Sequence, residues 1–388
     1  MSDLFQEQLA ALRARSLHRK LREIGGAQGP EIQIVGRQLV NFSSNDYLGL
    51  ANDPILREAA IEAIKKFGVG AGASRLQSGT QSPHVALENA LMKWRRAPAA
   101  LVFSSGFAAA VGTLPALASK NDVILLDKLC HPSLIDGARL SGATLRVFPH
   151  NHLGKLESHL EWTQREHPQA RAIIVTESVF SIDGDRPSLG ELIELKKKFG
   201  AVLLLDEAHA IGVLGPNGRG LAAELGLEAG VDVHLGTLSK ALGVSGGYVC
   251  GSRSLIDWLI NRARPFIFSS APPPAMAAAA TAAIEFLDSA EGEARRITLW
   301  QRIVRLKTEL PAKENAPAQS SSAILPWTIG EEQEALDLSR ALRERGLLVP
   351  AIRYPTVARG SARLRIAVSA SHSGAQIARL GDALRQLA

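Results

Sequence analysis

The sequence predicts an α/β protein: a larger domain built on a mostly parallel sheet flanked by helices, then a smaller C-terminal α+β domain. Between Ala99 and Gly251, short runs that are apolar throughout (AALVF, DVILLD, ARAIIV, AVLLL) alternate with helix-length segments. A strand apolar on both sides is one covered on both faces, the condition of a parallel sheet. Several runs turn polar at their C-terminal ends, where an α/β sheet presents ligand-binding loops. The chain has 388 residues, enough for one large domain and a smaller one. The expected division is 1–45 for an N-terminal helix and hairpin, 46–285 for the large domain and 286–388 for the small one.

In chain order, Leu4, Leu9, Leu12 and Leu17 share one side of a helical period and predict an amphipathic helix over 3–23. Gly-Pro punctuation and the alternation of Ile32, Ile34 and Val40 predict a hairpin. Asn45 to Gly49 reads as a turn, and Asp53-Pro54 opens a helix as N-cap and first residue. The stretch 68–80, GVGAGASRLQSGT, lacks both G-x-G-x-x-G spacing and a preceding strand. It is expected to be an active-site loop whose backbone approaches a ligand. Strands are expected at 99–103, 122–127, 144–148, 170–177 and 201–205, with helices following the first strand, up to Leu140 and over 153–164. GYVCG continues as a strand and 255–264 as a helix, and FIFSSAPPP (266–274) reads as a short strand broken by three prolines. A long helical region to Leu310 and a polar loop (311–322) lead to the last domain. There the pattern is strand 323–328, helix 331–344, strands 347–352 and 362–369, and helix 374–387.

Apolar residues at 46% and charged residues at 21% fit a soluble globular protein. The net charge of +6 is spread without a long basic run, and aromatics are only 5%. Neither favours a nucleic-acid partner. Cys130 and Cys250 lie far apart and form no CxxC pair, which argues against a zinc site or disulfide framework and fits a reducing cytosol. The N-terminus has no apolar signal core, and Ala275–Ala283 is too short to span a bilayer. A cytoplasmic protein with no membrane partner is expected. His150 and His152 form an H-x-H with no further ligand close in sequence and read as a solvated turn rather than a metal site.

The chemistry concentrates in two strings. Lys240 sits in VDVHLGTLSKALGVSGG among small residues, where an amine loses part of its hydration, sheds its proton more easily and attacks carbonyls. In AVLLLDEAH, Asp206 ends a buried strand, where a carboxylate can keep a heterocyclic nitrogen protonated; pyridoxal phosphate (PLP) needs that partner. His209 follows three residues later, within reach of a cofactor oxygen. DEAH also spells a helicase motif, but no G-x-x-x-x-G-K-[ST] accompanies it, so a nucleotide-dependent RNA-binding protein is the remote rival. Ser104-Ser105-Gly106-Phe107 opens a helix after a strand, a natural seat for a phosphate. His131 and Ser181 occupy other strand exits, so the ends at 103–107, 127–131, 176–181 and 205–209 converge on one edge. Arg353, Arg363 and Arg365 offer bidentate grips for a carboxylate.

With these strings in hand, the chain resembles the α-oxoamine synthases, PLP enzymes of fold type I (aminotransferase-like). The resemblance covers nearly the whole chain and rests on NFSSNDYLGL (41–50), SSGFAA (104–109), HPSL (131–134), VFSIDGD (179–185), LDEAHAIGVLGPNGRG (205–220), GTLSKALGVSGG (236–247) and AIRYPTVARGSARLR (351–365). The last string resembles the branch that condenses L-alanine with a pimeloyl thioester, on coenzyme A (pimeloyl-CoA) or acyl carrier protein, in biotin biosynthesis. Other branches, glycine C-acetyltransferase and serine palmitoyltransferase, stay open.

The resemblance implies a PLP-binding large domain and the following roles. Lys240 would form the Schiff base with PLP and act as acid and base. Asp206 would pair with the pyridinium nitrogen, and His131 would stack on the ring. Ser181 and His209 would hydrogen-bond the phenolic oxygen, while Gly106, Phe107 and Thr237 hold the phosphate or frame the ring. Asn45 and Glu177 would line the pocket, Arg365 grip the amino-acid carboxylate, and Arg22 and Thr356 contact the acyl substrate. In a homodimer, Ser269 and Ser270 would reach the neighbour's cofactor phosphate. One departure stands out: Tyr354-Pro355-Thr356-Val357-Ala358 replaces the usual Pro-Pro-Thr-Val-Pro, which bears on acyl-chain preference.

Overall fold

A computed structural model describes residues 2–15, 17–310 and 321–387. After a helix over Ser2–Ala14 come β1 (Ile24–Gly25), β2 (Glu31–Ile34) and β3 (Arg37–Asn41), the last two forming the expected hairpin. The helix is shorter than its leucine pattern predicts. Leu4, Phe5, Leu9 and Leu12 are all exposed, so little apolar burial supports further turns, and Arg22 lies on irregular chain.

The central sheet contains β4 (Ala99–Phe103), β5 (Val123–Asp127), β6 (Thr144–Phe148), β7 (Ala172–Glu177), β8 (Val202–Asp206), β9 (Val233–Thr237) and β10 (Gly247–Gly251). Their order is β4-β10-β9-β8-β7-β5-β6. Only β10 runs against the rest, so the sheet is mostly parallel as predicted. Successive residues of each strand feed opposite faces. Leu125, Ile174 and Leu203 belong to one apolar core, and Ile124, Leu126, Ile173 and Leu204 to the other. Helices cover both cores, which is why the strands read as unbroken apolar runs.

Toward the C-terminus, the long helical region is two helices, Pro274–Leu287 and Ala290–Glu309, restarted at Ser289, whose Oγ accepts the Gly292 N–H at 3.1 Å. Residues 264–267 form a short helix rather than a strand, with Pro265 in its first turn, where a missing N–H costs nothing. The next elements are β11 (Ile324–Gly330), β12 (Leu347–Leu348), β13 (Ala351–Ile352) and β14 (Ala362–Ala367). The single strand expected over 347–352 splits at Pro350, which cannot donate to a ladder. β12 therefore joins β3, and β13 joins β14. The first of these pairings ties the N-terminal hairpin to the C-terminal region. Most of the expected polar loop, 311–320, lies outside the described residues.

One buried ion pair braces the sheet beside the future site. Glu207, the residue after β8, faces away from Asp206 and pairs with Arg95; His234 Nδ1 lies 3.0 Å from Arg95 Nη2. Burial alone would raise the Glu207 carboxyl, but Arg95 and His234 overcome it and hold it at about 2, against an ordinary 4.5. This stabilisation is complete above the unfolded value and fades as pH falls through the folded one. Glu207→Gln leaves Arg95 buried without its counter-charge, and the expected loss is about 3–5 kcal/mol, read as a lower urea midpoint at pH 7. The difference from the parent chain should shrink as pH is lowered from 4.5 toward 2.

Candidate active site

Five strand exits at the C-terminal edge of the sheet enclose a cavity of about 260 Å³. After β4, Ser105 caps the helix Gly106–Leu117 by accepting the Ala108 N–H at 3.0 Å. First-turn N–H groups have no acceptor inside a helix, so those of Gly106 and Phe107 are available at the cavity wall, at the positive end of the dipole. Thr237, from the end of β9, packs so closely that a Cβ on Gly106 would lie 3.1 Å from its Cβ. Its hydroxyl donates to the Gly246 carbonyl at 3.0 Å.

Lys240 reaches the cavity from a tight loop closed by Leu238 N–H to Gly246 O (3.0 Å) and Gly243 N–H to Lys240 O (2.9 Å). Gly243 adopts φ +70°, and a Cβ there would lie 2.5 Å from the Ala51 nitrogen, so only glycine lets this loop press against the chain at 50–51. The Lys240 Nζ is 2.6 Å from His209 Nε2, and His209 Nδ1 is 2.7 Å from the Tyr47 hydroxyl. Asp206 and Glu177 line the same space. Burial lowers the Lys240 amine from 10.5 to about 8, although both carboxylates oppose the shift. Burial likewise raises Asp206 from 3.8 to about 6 against the pull of Lys240, and raises Glu177, with the Asp206 charge adding to it. His209 is held well below its ordinary value by burial and by Lys240, so it is neutral.

His131 stands at the mouth. Its Nδ1 accepts the Ser133 N–H at 3.3 Å and lies 2.8 Å from Ser133 Oγ, while the His131 backbone N–H donates to the Glu177 carboxylate. Burial and Lys240 together lower its pKa, which keeps the ring uncharged near neutral pH.

His131, His209 and Lys240 also line a larger outer cavity of about 870 Å³. Asn45, Ser181, Thr356 and Arg365 face it. Arg365 is buried and held from two sides, donating Nε to the Ser181 carbonyl at 2.5 Å and Nη2 to Asn45 Oδ1 at 3.0 Å. Ala358 faces this chamber, whereas Tyr354 lines an adjoining hollow with Leu9, Leu12 and Leu17 that shares Ile352, Pro355 and Thr356 with it.

The structure thus gathers Lys240, Asp206, His131, His209, Glu177, Gly106, Phe107 and Thr237 around the inner cavity, and Asn45, Ser181, Thr356 and Arg365 around the outer one. Ser269 and Ser270 lie elsewhere, exposed, with Ser270 bridged to Ser74. Arg22 is exposed and lines neither cavity; its charge is felt by Arg343. The glycine-rich stretch 68–80 also lines neither cavity, contrary to expectation. Ala271 N–H to Ala73 O (2.9 Å) fastens it to the segment after the short helix, away from this chain's own site. Tyr47, Ser133 and Ser239 were missed. A tyrosine in a turn carries no mark in sequence of the histidine it meets 162 positions later.

The inner cavity offers a nucleophilic amine, a buried carboxylate that gains from a cationic partner, and a helix N-terminus for an anion. These match the aldehyde, ring nitrogen and phosphate of pyridoxal phosphate. Residues 37–384 match the family of class I and II aminotransferases. The chain is 48% identical over 375 residues to the 8-amino-7-oxononanoate synthase of Anaeromyxobacter dehalogenans, covering 97% of this chain and 93% of that one. It is 43% identical over 381 residues to that of Geobacter sulfurreducens, covering 98% and 96%. Among solved structures, a serine palmitoyltransferase from S. paucimobilis with bound PLP superposes with a TM-score of 0.92 at 31% identity, covering 99% of this chain and 96% of that one. The 8-amino-7-oxononanoate synthase of Francisella tularensis gives 0.75 at 28%, covering 90% and 97%. The chain therefore belongs to the class I and II aminotransferase family, in its α-oxoamine synthase branch of PLP-dependent acyltransferases.

Proposed function

We propose that this chain joins L-alanine to a pimeloyl thioester, releasing carbon dioxide and the free thiol and yielding 8-amino-7-oxononanoate. The observation that carries the reading is the Lys240 amine sharing one small cavity with the Asp206 carboxylate. Relatives 43–48% identical over nearly the whole chain bear the name of that synthase.

Lys240 would hold the cofactor through its ε-amine, Asp206 would keep a proton on the ring nitrogen, and Gly106, Phe107 and Thr237 would seat the phosphate. When bound, the cofactor supplies an electron-accepting ring for the pair left behind when a bond to the amino acid's Cα breaks. His131 would cover the ring face, with Glu177 fixing its backbone, and His209 and Ser181 would face the ring's phenolic oxygen. Arg365 and Asn45 would grip and orient the alanine carboxylate. The Lys240 Nζ would also take the Cα proton of the bound amino acid and later return one. An amine lowered to about 8 suits both directions near neutral pH. Thr356 and the outer chamber would receive the acyl chain, whose carbonyl carbon bonds to Cα as the C–S bond breaks; Arg22 would act on a more distal part of the donor. The donor's thiol would be carried by coenzyme A or by an acyl carrier protein.

Two copies of the chain would form the working enzyme, with Ser269 and Ser270 completing the neighbour's phosphate site. Exposed Val69, Leu76, Phe107 and Phe268 offer apolar surface for such an interface. No helix among the described residues is long and apolar enough to cross a membrane, in keeping with the proposed cytoplasmic setting.

The overall shape favours a second reading, since the TM-score to a serine palmitoyltransferase is the higher one. A panel of L-alanine, L-serine and glycine with pimeloyl-CoA separates the two. Preference for L-alanine supports the proposal, and preference for either of the others rejects it. In the same assay, Arg365→Ala should raise the KM for the amino acid by about 10–100-fold, the worth of a hydrogen bond to a charged group. Purified protein should be yellow, and Lys240→Ala colourless and inactive. Stripped of cofactor, the wild-type chain should take up PLP with a rate that climbs through pH 8, because burial lowers the amine to about 8. A midpoint near 10.5 would mean that the amine is not desolvated as described.

A further inference from the structure

His150, expected to be a solvated turn residue, lies outside both cavities and yet binds a wall of each. It sits in the turn after β6, with Nδ1 3.0 Å from Asp127 Oδ1 and Nε2 2.7 Å from Asp185 Oδ2. An ionised carboxylate only accepts hydrogen bonds, so a ring between two of them satisfies both only as an imidazolium donating from each nitrogen. Burial opposes that charge, but Asp127 and Asp185 overcome it and raise the ring from 6.5 to about 10. Asn151 doubles the link, donating its backbone N–H to Asp127 Oδ2 (2.9 Å) and its side chain to Asp185 Oδ2 (3.1 Å).

Each carboxylate leads directly to the site. Asp127 ends β5, is fully buried and accepts the Leu129 N–H at 2.8 Å, starting the segment that carries His131. Asp185 closes the other loop, its carbonyl accepting the Phe180 N–H at 3.1 Å, and Phe180 meets the His150 ring edge-on with centroids 4.3 Å apart. That loop presents the Ser181 carbonyl to Arg365 and pairs Asp183 with Arg363. The His150 ring, with Asn151 beside it, therefore bridges the His131 segment and the Arg365 wall.

We propose that His150 is a positioning residue for amino-acid binding, its ring holding the His131 segment and the Ser181 loop at the separation in which the substrate carboxylate meets Arg365. The inference rests on the roles assigned above to Arg365 and His131. The test compares wild-type holoenzyme with His150→Gln and His150→Phe, the latter keeping the ring against Phe180 without the charge. Each is titrated with L-alanine, glycine and L-serine by cofactor absorbance, and kcat and KM are measured per cofactor-loaded site. The expected result is full cofactor content, an altered circular-dichroism band of the bound cofactor, a KM about tenfold higher and kcat changed less than about threefold. A normal KM and an unaltered band, with only a lower Tm, would overturn the proposal and leave His150 a plain structural clamp. Should the His150 variants fail to fold, Asp185→Asn, whose side chain is 31% exposed, decides by the same readouts. If wild type takes up none of the three amino acids, the roles of Arg365 and His131 fall and this inference with them; if wild type takes them up and the variants match it in KM and band, this inference falls alone.

Discussion

One poorly hydrated amine facing two buried acids is the constraint from which the rest of the site follows. Glu177, Asp206 and Leu235 are direct neighbours across β7, β8 and β9, and that register places the two acids side by side with Thr237 and Lys240 just beyond. A slip of one residue would turn Asp206 out of the cavity and Glu207 into it, because successive strand residues point to opposite faces. The adjacent acids thus have opposite fates. Asp206 is raised by burial to about 6, which Lys240 offsets only in part, while Glu207 is matched by Arg95 and held at about 2. The matched pair braces the sheet so that the unmatched acid can be offered to a ligand.

The remaining groups are drawn in from distant parts of the chain. Tyr47 comes from the turn before the first long helix of the large domain and fixes His209, which in turn meets Lys240. Arg365 comes from β14 and is held by Asn45 on one side and the Ser181 loop on the other. The site is consequently complete only when the hairpin region, the central sheet and the C-terminal sheet are together. The parallel pairing of β3 with β12 serves the same end, fastening the first and last thirds of the chain.

What was legible in the sequence was whatever depends on local pattern. Apolar runs gave the strands because both faces are covered, and the polar residues at their exits gave Asp206 and His131, whereas Glu177 entered through the family resemblance. The glycine-rich surroundings of Lys240 were also visible, since the loop's contact with residues 50–51 excludes side chains. Illegible were features decided by partners far along the chain. His150 looked solvated because its two carboxylates lie 23 and 35 positions away. FIFSSAPPP read as a strand from its apolar residues, but Pro265 favours a helix start there. The strand over 347–352 looked continuous until Pro350 divided it between two sheets.

Shape by itself does not choose the substrate. A serine palmitoyltransferase overlays this chain with a TM-score of 0.92, yet relatives of higher identity bear another name, so selectivity must reside in side chains that leave the backbone alone. The connection between β13 and β14 is where the difference can act, because Thr356, Val357 and Ala358 form one wall of the outer chamber. Of the two departures from the usual string there, Tyr354 lines the adjoining hollow with Leu9 and Leu12 and lies under Arg359 at 4.3 Å. Ala358, by contrast, stands in the chamber wall, where a small side chain without a ring leaves more room than proline. If the outer chamber takes the acyl chain as proposed, its depth is set at Ala358, while Tyr354 borders the adjoining hollow.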